Sequence, residues 1–197
     1  MPLTPSASIA LGTKAPPFYL PNPQGHRIGL HDFPEAKAVL VAFISNCLPH
    51  VRMIREAFAI LARDYEPQGL QIIAIDAIDA DDSGPRPEEA PGRIVEETDV
   101  FRCAFPYLID ADRSVAKVYG VSCPPDLFLY DGDRRLFHRG RFDDARPNDG
   151  NVPTGRDLRA ALDRLLAGGS APQNQTPGIG GNIKWRPGNE PRCALSA

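Results

Sequence analysis

The sequence lacks several features that would each define a class of protein. Its four cysteines are far apart and include no Cys-x-x-Cys pair. Their spacing therefore indicates neither a disulfide-stapled scaffold nor a four-cysteine zinc site. The formal net charge is only −3, so the chain has no global basic field that would condense on nucleic acid or on an anionic lipid surface. We predict no nucleic-acid partner.

Long hydrophobic runs are also missing. The longest covers residues 38–44, whereas a membrane-crossing helix needs about 20 apolar residues. The first ten residues have neither the positive start nor the apolar stretch of a secretory signal. We therefore expect a soluble, cytoplasmic protein with no membrane partner, whose cysteines rest as thiols in a reducing compartment.

The length and composition favour one folded domain with extensions. The chain has 197 residues, of which 42% are hydrophobic and 24% charged. This is ordinary for a globular protein, and a second independent core would be cramped. We divide the chain into an N-terminal arm (1–16), a main domain (17–168) and a C-terminal extension (169–197) that packs on the domain through Trp185.

One continuous apolar run and one mostly apolar run predict buried parallel strands in a sheet. They cover residues 38–44 and 70–76, and the segment between them carries Val51, Ile54 and Phe58 at helical spacing. A strand-helix-strand unit of this length implies parallel pairing with a right-handed crossover.

Shorter elements are predicted around this unit. An N-terminal hairpin pairs residues 18–20 with 27–30, and an Asp-Gly turn joins strands 127–130 and 136–140. The remaining predicted elements are an acidic surface loop (79–91), a helix (93–103), a short strand (105–110), a short helix (114–119) and an amphipathic helix (155–166).

Cys47 is the first residue to which the sequence assigns chemistry. It lies between a buried strand and a helix, where the helix dipole and unsatisfied N–H groups favour a thiolate. Such positions lower the cysteine pKa from about 8.5 to between roughly 3.5 and 7.5. We expect Ser45 or Asn46 to cap the helix and Pro49 to occupy its first turn. The structural alternative is that Cys47 only fills space.

The segment Ser122-Cys123-Pro124-Pro125-Asp126 precedes the second hairpin and predicts a special turn. Proline disturbs the start of a central strand unless it forms such a turn. The cis form of a peptide bond has a low free-energy cost only at an X-Pro bond. We predict that Pro125 is cis. The alternative is an ordinary rigid turn with a buried Cys123.

Several segments together resemble one family. They are Phe43 to Val51, Phe105 to Leu108, Tyr119 to Asp126, Gly140 to Pro147, and the stretch from Ile179 to Asn189. They resemble thioredoxin-like redoxins of the alkyl-hydroperoxide-reductase/thiol-specific-antioxidant type, including thiol-disulfide oxidoreductases. The resemblance implies an α/β fold, a thioredoxin-like three-layer sandwich with a central mixed sheet, an N-terminal hairpin extension and a long C-terminal tail.

The chain departs from that family at the cysteine positions that carry the family's chemistry. Aligned through Pro49, the two motif cysteines fall on Ser45 and Leu48, and the tail cysteine is replaced by Gly181. A competing alignment sets Cys47 to His50 against the thioredoxin Cys-Gly-Pro-Cys box and keeps only the first cysteine. Either alignment excludes a local Cys-x-x-Cys redox cycle.

The resemblance leads us to favour thiol-based redox chemistry by Cys47, as peroxide or disulfide reduction. Because the cis-proline loop of this fold lies against the helix N-terminus, Cys123 or an external thiol would resolve the oxidised sulfur. His50 would hold the thiolate or relay a proton, or is simply a solvated helix residue. The catalytic set is thus Cys47, His50, Cys123 and Pro125, with thiol, disulfide or peroxide partners and no cofactor. A homodimer is left open.

Two other functions stay open. Cys47, His50 and Cys123 are soft ligands for copper, zinc or haem. Loss of the dithiol is equally compatible with a binding protein that holds a peptide or small molecule over the cis-proline turn. We interpret Asp143, Asp144 and Arg146 as structural, and His138 as an ordinary polar residue.

Overall fold

A computed structural model describes residues 4–5, 9–45, 48–77, 105–121, 123–147, 149–180, 183 and 185. The predicted acidic loop (79–91) and the predicted helix (93–103) lie outside the described residues. No helix within these ranges combines the length and the apolar character needed to cross a membrane.

Nine strands and three helices make up the described chain. In chain order they are β1 (Thr4–Pro5), β2 (Tyr19–Pro21), β3 (Arg27–Gly29), β4 (Ala38–Phe43), α1 (Pro49–Tyr65), β5 (Leu70–Asp76), β6 (Tyr107–Ile109), α2 (Ser114–Val118), β7 (Asp126–Asp131), β8 (Leu136–Gly140), α3 (Arg156–Leu166) and β9 (Ile179–Gly180). Short 3-10 turns follow β3 and α1.

The central sheet has five strands in the order β6-β5-β4-β7-β8. Strand β4 pairs parallel with β5 and antiparallel with β7, and β5 pairs parallel with β6. The two apolar-rich runs therefore form neighbouring parallel strands within the sheet, as predicted, and the Asp-Gly hairpin closes the sheet. This mixed sheet with a helix layer on either side confirms the thioredoxin-like fold.

Alternate side chains of the central strands face opposite sides of the sheet and contribute to two separate hydrophobic cores. On one face, Leu40 and Ile72 pack against the buried side of α1 and α3. On the other, Val41 and Ile73 pack with Tyr119, which follows α2, and with residues of the N-terminal and C-terminal segments. Ile183 is buried there and Trp185 is partly buried, so these two residues pack against the second core.

Both halves of the outer edge of β8 are covered by other segments. Gly12 donates its backbone N–H to Leu136 O at 2.8 Å, and Leu136 donates to Thr13 O at 2.8 Å. Further along, Arg141 N donates to Thr176 O at 3.0 Å. Covering an edge in this way removes the free donors and acceptors that would otherwise pair with another chain.

A β-bulge interrupts the hairpin of β7 and β8. Leu129 lies opposite His138, but Tyr130 lies opposite Leu136, which leaves Phe137 as the extra residue. Because Leu129 faces the core beneath α1 and α3, its cross-strand partner His138 faces the same side. The N-terminal hairpin of β2 and β3 is also present as predicted.

Candidate active site

The N-terminus of α1 is fixed by Pro49. Leu48 is the N-cap residue, with an extended backbone (φ −85°, ψ 131°), and Pro49 occupies the first helical turn as predicted. A residue before proline is pushed out of the helical region, so the helix cannot start earlier. The expectation that Ser45 or Asn46 caps the helix is therefore wrong: the cap residue is Leu48, with no side-chain cap hydrogen bond.

Cys47 itself and Asn46 lie outside the described residues. Their neighbours in the sequence are placed: Ser45 is buried at the end of the sheet, and its carbonyl accepts a hydrogen bond from Leu48 N at 3.1 Å. The position of the Cys47 sulfur therefore stays a prediction, and the described residues on either side of the gap are Ser45 and Leu48.

His50 lies in the first turn of α1 and lines a surface depression together with Met53 and Ile54 of the same helix. Its side chain is half-buried. Burial, followed by the positive charge of Arg146, lowers the pKa of His50 below 6.5. A neutral imidazole in this place can accept a proton or a hydrogen bond near pH 7.

Pro125 lines the same depression from the opposite side. The Pro124–Pro125 peptide bond is cis, which confirms that prediction. His50 and Pro125, which are 75 positions apart in the sequence, are thus brought together at the start of α1. A solvated helix position alone does not describe His50.

Cys123 is placed differently from the other predicted site residues. It is fully buried, and its thiol donates a hydrogen bond to Gly178 O at 3.7 Å. Burial, and secondarily the negative charge of Asp126, raises the pKa of Cys123 to about 12. Among the described residues that line the depression, Cys123 does not appear, so in this conformation it is a protonated thiol behind the cis-proline turn.

The far wall of the depression comes from the loop after β8, and Asp143 holds that loop in place. Its carboxylate accepts hydrogen bonds from Ala145 N at 3.1 Å, Thr154 N at 2.7 Å and Gly155 N at 2.8 Å. Asp144 forms an exposed ion pair with Arg156 at 2.9 Å. The structural interpretation of this motif agrees with these contacts.

Two guanidinium groups line the depression, those of Arg141 and Arg146. Arg141 also forms an ion pair with Asp157 at 2.5 Å, and Arg146 donates from Nη1 to Ala145 O at 2.8 Å. Of the charged side chains that line the depression, two are cationic and one, that of Asp143, is anionic, so the net positive charge favours an anion such as a thiolate.

A buried ion pair under the cis-proline turn was missed by sequence reasoning. Arg139 donates from Nη2 to Asp126 Oδ2 at 2.7 Å and from Nε to Asp126 Oδ1 at 3.2 Å. Its Nη2 also donates to Gly120 O at 2.9 Å. The sequence does show one charge of each sign at the predicted hairpin, Asp126 at the start of its first strand and Arg139 in its second. Predicting that these two side chains meet requires the strand register, which the bulge sets.

Gly180 allows the tail to cross the cis-proline turn. A Cβ atom there would lie 2.0 Å from the backbone carbonyl oxygen of Pro124, and backbone cannot move aside as a side-chain end can. Gly178 also lines the depression. The C-terminal tail is therefore part of the site.

Within the described part of the chain, no group of three His, Cys, Asp or Glu side chains is arranged to hold a metal ion. The metal and haem alternative depends on Cys47, which lies outside that part.

The chain is similar to several known proteins. Thiol-disulfide oxidoreductase ResA of Bacillus cereus is 30% identical over 132 residues, which cover 65% of this chain and 68% of that protein. A solved structure of a hypothetical protein from Sinorhizobium meliloti is 50% identical with a TM-score of 0.88, and the match covers 94% of this chain and all of that one.

A solved structure of an uncharacterized conserved protein from Geobacillus kaustophilus is 39% identical with a TM-score of 0.88, covering 95% and 98% of the two chains. The model of the AhpC/TSA family matches residues 11–139, which is more than half of the 197 residues. Together, the family and the oxidoreductase relatives support a thiol-based redox role. The chain belongs to the AhpC/TSA family.

Proposed function

We propose that this protein is a thiol-disulfide oxidoreductase that works through one cysteine, Cys47. The observation that carries the proposal is the depression at the start of α1, where His50 and the cis-bonded Pro125 meet. Cys47 directly precedes the N-cap residue Leu48 in the sequence, and the proposal places its thiol at that depression.

The surroundings favour the ionised form of a thiol held there. The amides at the start of a helix of 17 residues present partial positive charge, and Arg141 and Arg146 add full charges. His50, whose pKa is lowered, is neutral near pH 7 and offers a hydrogen-bond partner rather than a charge. The helix amides and the two arginines would lower the pKa of a cysteine held there.

The reaction needs one nucleophile and two external thiols. The Cys47 thiolate attacks a substrate disulfide, an S–S bond forms and another breaks, and the leaving sulfur departs as a thiolate that takes up a proton. An external thiol then attacks the Cys47 sulfur of the mixed disulfide, which releases the second substrate sulfur as a thiol and leaves the external group on Cys47. A second external thiol attacks that group and frees Cys47. The substrate is reduced by two electrons, which come from the two external thiols that end as one disulfide.

In this scheme Cys123 stays a buried thiol and does not resolve the intermediate. A thiol with a pKa of about 12 is almost entirely protonated near neutral pH, and the thiolate is the attacking species. We place the reaction in the cytoplasm, where external thiols are abundant.

Peroxide reduction is the second candidate, favoured by the match to the AhpC/TSA family. The Cys47 thiolate would attack one peroxide oxygen, break the O–O bond and become a sulfenic acid while the alcohol or water leaves. A thiol would then condense with the sulfenic acid, releasing water and giving a mixed disulfide. Both candidates share the same nucleophile.

A metal or haem at this place fits the lining less well. Arg141 and Arg146 both line the depression, and their charges disfavour a bound cation. A binding role without catalysis is the outcome if Cys47 proves unreactive.

The test is to mix the reduced protein with glutathione disulfide and identify the product by peptide mass spectrometry. We expect a mixed disulfide on Cys47, formed equally well by Cys123→Ala, and none in Cys47→Ser. In parallel, hydrogen peroxide with a sulfenic-acid trap tests the second candidate. If neither reagent modifies Cys47, or if Cys47→Ser turns over substrate as fast as the unchanged protein, the proposal is wrong.

A further inference from the structure

One guanidinium group in the depression at the start of α1 is not paired with a carboxylate. Arg141, which lines the depression, forms an ion pair with Asp157 at 2.5 Å. Arg146 makes no ion pair within the described residues. Its Nη1 donates to the carbonyl oxygens of Asp143 at 3.3 Å and Ala145 at 2.8 Å. These two hydrogen bonds hold the group in place and leave its positive charge without a bound anion.

The acidic residues near Arg146 do not neutralise it by direct contact. Asp143 lines the depression, but its carboxylate already accepts three backbone N–H groups. Asp149 is exposed and accepts a hydrogen bond from the backbone N–H of Arg146 at 2.7 Å, not from the guanidinium. Arg146 is also the charge that, after burial, lowers the pKa of His50. Its field therefore reaches the part of the depression where the proposed function places the reacting sulfur.

The cis-proline turn offers little main-chain hydrogen bonding to a substrate. Pro124 and Pro125 have no N–H group. The tail lies against their carbonyl oxygens: a Cβ on Gly180 would be 2.0 Å from Pro124 O, and one on Gly178 would be 3.4 Å from Pro125 O. An extended peptide is recognised largely through main-chain hydrogen bonds. Substrate recognition at this turn therefore depends mainly on side chains.

We propose that the site takes small disulfides that carry a carboxylate near the sulfur, and that Arg146 selects them. The inference rests on the proposed function, in which Cys47 is the nucleophile. The carboxylate would bind Nε and Nη2 of Arg146, which make no hydrogen bond within the described residues. The Cys47 thiolate then forms an S–S bond to the nearer sulfur, the original S–S bond breaks, and the other half leaves as a thiolate that takes up a proton.

The test compares small disulfides of nearly equal size and different charge. They are dithiodipropionate, which is a dianion, hydroxyethyl disulfide, which is neutral, and cystamine, which is a dication. The rate of mixed-disulfide formation on Cys47 is followed at pH 7 by mass spectrometry of its peptide. Each rate for the native protein is divided by the rate for the same protein unfolded in urea, which removes the intrinsic reactivity of each reagent.

We expect the normalised rate for dithiodipropionate to exceed that for hydroxyethyl disulfide at least about tenfold, with cystamine the slowest, because a hydrogen bond to a charged group supplies such a factor. Arg146→Gln should remove most of this preference, and Arg146→Lys, which keeps the charge, should retain part of it. The neutral disulfide reports any change in Cys47 itself. Arg63→Gln, the matched control, removes an exposed charge from the far end of α1 and should change none of the rates.

Insulin serves as the polypeptide disulfide. With dithiothreitol as the reductant, the unchanged protein should reduce insulin no faster than Cys47→Ser does. Faster reduction by the unchanged protein would show that a polypeptide enters the site, contrary to the inference.

The outcomes separate this inference from the proposed function. Equal normalised rates for the dianion and the neutral disulfide, or identical behaviour of Arg146→Gln and Arg63→Gln, would refute the role of Arg146 while Cys47 remains a nucleophile. If Cys47 reacts with none of the disulfides, the proposed function fails and this inference fails with it. If urea denaturation shows that Arg146→Gln is unfolded, the preference of the unchanged protein and of Arg146→Lys decides.

Discussion

Arg139 and Asp126 form an ion pair at 2.7 Å in which both side chains are almost completely buried. The pair joins the start of β7, directly after the cis-bonded Pro125, to the edge strand β8. The guanidinium also lies over the Phe128 ring, 4.5 Å from its centroid. The side wall of the candidate active site therefore depends on a charge pair within the hairpin.

Removing one partner of this pair should strongly destabilise the protein. We expect Asp126→Asn to lower the free energy of unfolding by about 3–5 kcal/mol, because it leaves the Arg139 charge buried without a counter-charge. Urea denaturation measures the change. Asp133→Asn, an exposed change in the adjoining turn, should stay within about 0.5 kcal/mol of the unchanged protein.

The double variant Asp126→Leu/Arg139→Met distinguishes a lost charge partner from lost packing. Replacing both charges by apolar groups should restore much of the stability. If the double variant is as unstable as Asp126→Asn, the uncompensated charge is not the cause.

Asp143 should be far more important for stability than its neighbour Asp144. The buried Asp143 carboxylate accepts three backbone N–H groups, one of them at the N-cap residue of α3, Gly155. Asp143→Ala should lower the free energy of unfolding by about 2 kcal/mol or more, since each buried group left unsatisfied costs about 1–3 kcal/mol. Asp144→Asn breaks only an exposed pair and should change stability little. Equal effects in urea denaturation would contradict this assignment.

His138 should make the fold sensitive to acid. Its pKa is about 4 in the folded protein against 6.5 when unfolded, so the unfolded chain takes up the proton first as the pH falls. Stability from this residue is therefore full above pH 6.5 and is lost as the pH falls toward 4, by roughly 3 kcal/mol in total.

The measurement is urea denaturation of the unchanged protein and of His138→Gln between pH 7 and pH 4. The stability difference between them should shift in favour of the variant across that window. Asp110, whose pKa burial raises to about 6, changes stability in the opposite direction but is common to both proteins. Parallel pH curves would show that His138 is not buried as described.

Cys123 should be protected from alkylation in the native protein. Its side chain is fully buried and its pKa is raised to about 12, so neither access nor ionisation favours reaction. Peptide mass spectrometry after iodoacetamide treatment should find Cys123 modified in urea and unmodified in buffer. Native labelling as fast as in urea would restore Cys123 as a candidate resolving thiol.

The sequence allowed much of the fold to be predicted because local signals there agree with the tertiary structure. The run at β4 is apolar throughout and the run at β5 is mostly apolar, which is typical of strands buried on both faces. An Asp-Gly pair between two strand-like segments indicates a hairpin, and the Pro124–Pro125 pair before β7 indicates a special turn. The predicted N-cap at Ser45 was wrong because Pro49 keeps Leu48 out of the helical region and so fixes the start of the helix. This steric effect outweighs the general preference for polar cap residues.

The site residues that were missed depend on register and on tertiary packing. Arg139 meets Asp126 only through the pairing of β7 with β8, and the bulge that orients His138 leaves no mark in a pattern of alternating residues. The burial of His138 needs a tail segment to cover the strand edge, where Gln175 Oε1 accepts a hydrogen bond from Arg139 N at 2.8 Å. A single sequence contains none of these distances.

The most direct test of the redox account is the rate of Cys47 alkylation by iodoacetamide as a function of pH, followed on the Cys47 peptide in the native protein. The helix N-terminus, Arg141 and Arg146 together predict an apparent pKa between roughly 3.5 and 7.5. An apparent pKa near or above about 8.5, the value of a free cysteine, would contradict an activated nucleophile at this position.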